Sequence, residues 1–340
     1  MMEEETIPVV DISAFTEYEK THDAALIEDL INQWKKAFQS IGFVIVTGHG
    51  VPETVCENFH GDSMTFFSAP LAEKSCLDLK NGYGKGGYVG LGKEVVGKTN
   101  IYNKNDNLLQ KTTEQNGKQN VVPDYVETLE FLRGYDDEDI PDTLPESPNT
   151  FGSSLYAYWD CLKTFYHRLF RISALALGLD EDHFEQFFTE PYERLRLAFY
   201  PAQDTQQAAP GQLRYGPHTD YACFAIVKSD DAPGGLEVLG KQGNWIPVQW
   251  IAGSFIVNAG DLMQRWTNDC WRSVVHRVAN PPATDCSRPR LSIVLFVGPN
   301  RNTTIKALET CCSEENPAKY KPILCKEHLS RKIKISSVST

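Results

Sequence analysis

The chain contains no C-x-x-C pair. Its nine cysteines are scattered at positions 56, 76, 161, 223, 270, 286, 311, 312 and 325, a spacing that argues against a structural zinc site. Their odd number gives no disulfide framework and points to free thiols in a reducing, cytoplasmic setting. The adjacent Cys311-Cys312 pair is read as incidental. No apolar run approaches the length needed to span a bilayer. The acidic start, Met-Met-Glu-Glu-Glu, lacks the apolar region of a secretory signal. Positive charge is also short: 33 Lys and Arg against 45 Asp and Glu leave a formal charge of −12. Such a surface repels phosphate backbones, so nucleic acid is not an expected partner. There is no internal repeat and no long low-complexity linker.

What remains is an ordinary globular composition. Hydrophobic residues make up 41% and charged residues 23% of 340 positions, enough for a packed core in one large domain or two medium ones. The segment Thr6–Ser13 reads as a short strand, with Ser13 or Thr16 placed to cap a following helix. Ala25, Leu26, Ile27, Leu30, Ile31, Trp34 and Phe38 recur near helical spacing. Gly42–Pro52 reads as a buried strand closed by a glycine-rich turn. Residues 53–80 look helical again, with Phe66 and Phe67 inward and Pro70 marking a break.

Residues 81–122 are dense in glycine and then in Asn, Lys and Gln. They read as an irregular surface loop, with a lid over a pocket as the functional alternative. The clearest long helix spans residues 150–178, where Leu155, Trp159, Leu162, Phe165, Leu169 and Ile172 form a stripe fit to back a sheet. From about residue 193 the rhythm changes to short strands punctuated by turns: Leu195–Tyr200, Ala222–Lys228, Gly235–Leu239, Trp245–Val248, Ser254–Asn258, Leu262–Trp266, Ser273–Val278 and Leu291–Val297. That series predicts a double-sheet jelly roll. Residues 317–332 add a candidate C-terminal helix. The expected fold is mostly β with flanking helices. An N-terminal α/β region, 1–125, packs on a helix-backed jelly-roll core, 126–340, in one compact unit.

Against this frame one constellation carries chemistry. His218-Thr-Asp220 opens a predicted strand, where residues i and i+2 share a face. His276 lies on a later predicted strand. Two imidazoles and one carboxylate are the ligand set of the facial triad that holds non-haem Fe(II) and leaves positions open. The alternative without metal is a His–Asp hydrogen bond inside the core. Arg290-x-Ser292 follows on another strand, and a buried guanidinium needs an anion, with a bidentate carboxylate its best match. The alternative there is a structural salt bridge. Tyr200, at a strand end before Pro201, can add a hydroxyl to the same anion or serve as an edge aromatic. Asn258, Gly260 and Asp261 read as a structural turn, and His49 as a hydrogen-bonded structural residue.

Taken together, these motifs resemble the isopenicillin N synthase-like branch of the Fe(II)/2-oxoglutarate-dependent dioxygenases. The resemblance covers nearly the whole chain. It runs through Ile7-Pro-Val-Val-Asp-Ile-Ser13, Gly42–Pro52, Phe66–Lys74, His218-Thr-Asp220, Gly235-Leu-Glu-Val, Asn244–Val248, Asn258-Ala-Gly-Asp-Leu262, Trp266-Thr-Asn268, His276-Arg-Val278 and Arg290-Leu-Ser292. It implies that His218, Asp220 and His276 bind iron. It also implies that Arg290, Ser292 and Tyr200 hold 2-oxoglutarate, and that O2 is the co-reactant. One departure is Ala198, where relatives often carry asparagine two residues before the tyrosine. The expected partner is a small-molecule metabolite, with Tyr221, Phe224, Gln264 and Phe296 as candidate contacts, and a monomer is expected. Hydroxylation is the expected outcome. Desaturation or ring closure, as in the kainoid synthases of this family, is the nearest alternative. An oxidase that uses no 2-oxoglutarate and a non-catalytic small-molecule-binding protein are the others.

Overall fold

The computed structural model describes residues 5–78, 87–96, 122–133, 144–203 and 209–336. Most of the segment 81–122, and with it the lid reading, lies outside the described residues. The N-terminal part gives β1 (Val9–Asp11), α1 (Ser13–Thr21), α2 (Glu28–Ser40), β2 (Phe43–Thr47), α3 (Glu53–Ser68), α4 (Leu71–Lys74), β3 (Gly87–Val89) and β4 (Glu127–Arg133). The long helix α5 (Phe151–Ala176) leads into β5 (Pro191–Tyr200), β6 (Tyr215–His218), β7 (Phe224–Ser229), β8 (Leu236–Leu239) and β9 (Trp245–Pro247). The chain continues through β10 (Phe255–Ala259), α6 (Asp261–Trp266), β11 (His276–Val278), β12 (Arg290–Asn300) and the C-terminal helix α7 (Cys325–Ser336).

The strands form two main sheets. The major sheet runs β1-β2-β10-β7-β12-β5-β4-β3 and the minor sheet β6-β11-β8-β9. Among the described strands of these sheets only β1 and β2 pair in parallel; every other main pairing is antiparallel. This is the mostly β, helix-flanked jelly roll that the strand rhythm predicts.

Two-residue alternation explains how the major sheet separates core from cavity. On β12, Leu291, Ile293, Leu295 and Val297 are buried in the main core, alongside Leu155, Leu162 and Leu169 of α5. Their neighbours Arg290, Ser292, Val294 and Phe296 line a cavity on the other face. β5 repeats the rule: Leu195 and Leu197 join the helix-side core, while Arg194, Arg196, Ala198 and Tyr200 line the cavity. Glu193 belongs to the helix side. Trp159 Nε1 and Tyr166 OH of α5 donate to its two carboxylate oxygens at 2.7 and 2.6 Å. A second apolar cluster, including Phe43, Ile45, Val238, Ile256 and Val274, joins the two sheets, and its Ile256 lines the cavity.

Three local expectations need correction. Leu262–Trp266 is not a strand but the body of α6, entered from Gly260, whose carbonyl accepts from Gln264 N–H at 3.0 Å. Its apolar residues Leu262, Met263 and Trp266 are buried at helical spacing. Ser13 is the first residue of α1 rather than its cap: its N–H donates to the Asp11 side chain at 2.8 Å. Finally, β4, which pairs with β3 and β5, and β6, which pairs with β11, are strands where none was expected, because β4 carries charged residues on both of its faces and β6 is only four residues long.

Candidate active site

His218 ends β6 and His276 opens β11, and the two are cross-strand partners with ring centroids 4.2 Å apart. Asp220 lies just past the end of β6, not on a strand. The predicted shared strand face is therefore not formed, and irregular chain after β6 brings the carboxylate near both rings. That segment is tied by backbone: Asp261 N–H donates to the Asp220 carbonyl and Gly260 N–H to the Cys223 carbonyl, both at 2.8 Å. His218 Nε2 lies 3.7 Å from one Asp220 oxygen and His276 Nε2 lies 3.5 Å from the other. One potential ligand atom from each of the three side chains lies within 4.8 Å of the others.

The histidines are held in one tautomer. His218 Nδ1 is 2.9 Å from the Gly216 carbonyl and His276 Nδ1 is 3.0 Å from the Val274 carbonyl. A carbonyl only accepts, so each Nδ1 carries the proton and each Nε2 turns a lone pair toward Asp220. Burial, reinforced by the neighbouring His276, drives the His218 pKa far below its ordinary value and keeps that ring neutral. Neutral imidazoles with Nδ1–H anchored to backbone carbonyls are the form that binds a metal. The donor set fits Fe(II).

Asn258, read from sequence as part of a structural turn, has a further task. It lies on β10, and its Nδ2 donates to Asp220 Oδ2 at 2.7 Å. That bond fixes the carboxylate rotamer. The sequence signal was weak, because an asparagine just before a glycine turn reads first as turn chemistry.

Across the cavity, Arg290 and Tyr200 are cross-strand partners, as are Ser292 and Ala198. Arg290 is buried, and its Nη1 donates to the carbonyls of Ala232 and Asp230 at 3.1 and 3.3 Å. Its Nε has no hydrogen-bond partner among the described residues. A Cβ on Gly235 would sit 3.3 Å from the guanidinium carbon, so glycine leaves that face open. Arg214, also fully buried, donates to the Pro233 carbonyl at 2.7 Å, with its guanidinium 5.9 Å from the Tyr200 ring centroid. Burial and the charge of Arg290 pull its pKa down to about 10. Of the described carboxylates, Asp230 alone forms an ion pair with Arg290, at 3.5 Å. Arg290, a buried cation that lines the cavity with so little compensation, suits an incoming carboxylate. Burial pushes the Tyr200 hydroxyl up to about 12, so it stays protonated and able to donate. Ala198 puts a methyl group opposite Ser292.

The remaining candidates divide. Tyr221 and Phe296 line the cavity. Phe224 does not: it is fully buried against Phe38, Phe170 and Trp271 in the helix-side core. Gln264 is also elsewhere, bonded to Asp269, Tyr320 and the Ser273 N–H. His49 is structural, tied to the Gly253 carbonyl and the Val51 N–H. Gly92-Lys-Glu-Val-Val-Gly-Lys-Thr99 spells the phosphate-loop pattern. The described part has no such role, since Glu94 is buried in an ion pair with Arg196, and Gly97–Thr99 lie outside the described residues.

Comparisons with known proteins agree with this geometry. The sequence profile of the 2OG-Fe(II) oxygenase superfamily matches residues 191–299. That of the N-terminal region of the non-haem dioxygenases in morphine synthesis matches residues 7–151. A 2-oxoglutarate-Fe(II) type oxidoreductase of Metarhizium majus is 29% identical, over 96% of this chain and 86% of its own length. Homoarginine-6-hydroxylase of Glycine max is 28% identical over 96% of both chains. The crystal structure of a full-length Neurospora crassa protein in complex with alpha-KG and thymine aligns over 98% of both chains, at a TM-score of 0.83 and 28% identity. No helix among the described residues is long and apolar enough to cross a membrane. The two profiles, the full-length relatives and the convergence of two imidazoles and a carboxylate opposite a buried arginine lead to one conclusion: the chain belongs to the 2-oxoglutarate–Fe(II) oxygenases and is an oxidoreductase that uses iron, 2-oxoglutarate and O2.

Proposed function

We propose that the protein is a dioxygenase that couples oxidative decarboxylation of 2-oxoglutarate to hydroxylation of a small-molecule metabolite. In this reading His218, Asp220 and His276 hold the iron, and Arg290, Ser292 and Tyr200 grip the cosubstrate. The observation that carries it is the meeting of the three ligand atoms within 4.8 Å on the wall of the cavity that Arg290 and Ser292 also line.

Bound at this triad, Fe(II) supplies the oxygen activation that links the two half-reactions. The chain supplies the rest. The Gly216 and Val274 carbonyls orient the imidazoles, and Asn258 orients the carboxylate. Arg290 offers a guanidinium already pinned by two carbonyls, so little rotamer freedom is lost when a carboxylate docks. Tyr221 and Phe296 line the same cavity and limit water around the reacting C–H bond.

The test is succinate formation with purified protein, Fe(II), 2-oxoglutarate and O2. Wild type is expected to form succinate, and His218→Ala or Asp220→Ala to reduce it by at least about a hundredfold. Succinate formation unchanged in both variants would overturn the ligand assignment. A product that gains one oxygen supports hydroxylation; loss of two hydrogens identifies desaturation or ring closure instead.

A further inference from the structure

His218 leans on a stretch of strand that the sheet alone does not hold. β6 and β11 pair His218 with His276 and Tyr215 with Val278. Between those pairs β6 sets two residues, Gly216 and Pro217, against Arg277 alone. That is a bulge, and a bulge locally interrupts the ladder. Pro217 has no N–H to offer across it. Yet the Gly216 carbonyl is the group that anchors the His218 ring, 2.9 Å from Nδ1.

A side chain from a distant part of the sequence takes over. Asp124 Oδ1 accepts from Gly216 N–H at 2.9 Å, and Asp124 Oδ2 accepts from Val96 N–H at 2.7 Å. The segment around Asp124 is strapped to the approach to β6. Tyr125 N–H donates to the Leu213 carbonyl and Gln212 Nε2 to the Pro123 carbonyl, both at 2.9 Å. Asp124 N–H donates to the Glu94 carbonyl, also at 2.9 Å. The Asp124 side chain is thus fixed in space before it meets Gly216. It is 4% exposed, and among the described residues it forms no ion pair. Burial pushes its pKa up to about 7. An ionised carboxylate buried without a cation is a poor device for stability. What it does hold is two backbone N–H groups. One belongs to the residue whose carbonyl anchors His218, and the other to Val96, which lines the cavity.

We propose that Asp124 is a positioning residue for the metal site. Through Gly216 it sets the direction of the His218 imidazole, and through Val96 it ties that ligand to the cavity wall. This rests on the reading of His218 as an iron ligand. Asp124 is not among the three residues whose ligand atoms converge, so its influence runs through the Gly216 backbone.

The test reads the metal site rather than turnover. Co(II) is titrated anaerobically into the metal-free protein and followed by its visible ligand-field absorption, which reports ligand geometry. Urea unfolding of the metal-free protein is measured alongside. Asp124→Asn keeps the shape of the side chain but has one acceptor oxygen for two N–H groups. It is expected to weaken Co(II) binding about tenfold and to alter the spectrum of the bound ion. Asp124→Ala, with no acceptor, is expected to lose up to about a hundredfold. Tyr166→Phe is the control, since it removes a hydroxyl that donates to Glu193 on the helix side of the sheet. It should lower the urea midpoint and leave affinity and spectrum as in wild type. Affinity within about twofold of wild type and an unchanged spectrum in the Asp124 variants would overturn the proposal. So would a spectrum that shifts as much in Tyr166→Phe, because the shift would then report general loosening. Should one Asp124 variant fail to fold, the other decides by the same limits. Wild type that binds no Co(II), or His218→Ala that binds it as tightly as wild type, is a separate result: it removes the ligand reading, and this proposal with it.

Discussion

Single side chains set the chemistry, and some were easier to read than others. His218, Asp220, His276, Arg290 and Ser292 stood out because each is a reactive type at a spacing that geometry can use, and all five line one cavity. Asn258 did not, since nothing in its neighbours distinguishes a turn residue from one that bonds Asp220. Asn258→Ala is expected to weaken Fe(II) affinity or turnover by about 10- to 100-fold with little change in global stability. A metal titration checks this, and unchanged affinity and turnover would show that the 2.7 Å bond to Asp220 is incidental. Gly260 is the second sensitive residue. A Cβ there would lie 2.3 Å from the Ala222 carbonyl oxygen and 3.0 Å from that of Asp220. Both atoms are backbone, so the strain has no flexible outlet. Gly260→Ala should cost about 1–3 kcal/mol in urea unfolding and loosen the metal site at the same time. A variant with wild-type stability would contradict the close approach.

Elements were legible where they were long. The stripe of α5 and the alternation of β5 and β12 repeat often enough to show their period. The six residues of α6 do not, and Leu262–Trp266 fits a strand as well as a helix until Gly260 and the buried face are seen. The C-terminal helix α7 makes a prediction of its own. Its Leu329 lines the cavity, and Lys332 pairs with Asp261 at 2.6 Å and lies over the Tyr221 ring. His328 is 6% exposed, and burial pulls its pKa down to about 4 even though Asp261 and the Tyr221 backbone favour the charged ring; Lys332 and Arg265 oppose it. The unfolded chain takes up this proton near pH 6.5 and the native protein only near 4. Stability from this group is therefore complete above about pH 6.5 and lost as pH falls through that window, by up to about 3 kcal/mol. His328→Gln should flatten the decline between pH 7 and pH 5 in denaturant unfolding. An identical slope in the variant would sink the assignment.

At the scale of the whole molecule, the major sheet draws strands from both halves of the chain. β1 and β2 from the N-terminal segment extend it through β10, and β3 and β4 extend its other end beyond β5. The boundary expected near residue 125 falls just before β4, between strands of this same sheet. We expect the two regions to fold as one unit, with a single calorimetric transition whose van't Hoff and calorimetric enthalpies agree. Two resolved transitions would show independent domains. Removing residues 1–47 should also unpair β10 and so disturb Asn258, which partners Phe43 in the register. The two histidines stand on the minor sheet, while Arg290, Ser292 and Tyr200 stand on the major one. The apolar cluster that joins the sheets thus also sets the distance between the proposed anchors of the oxidant and of its fuel. Enlarging or trimming Ile45, a member of that cluster that does not line the cavity, should leave each ligand's own affinity nearly intact. What it should change is stoichiometric fidelity, with more 2-oxoglutarate spent per molecule of product formed.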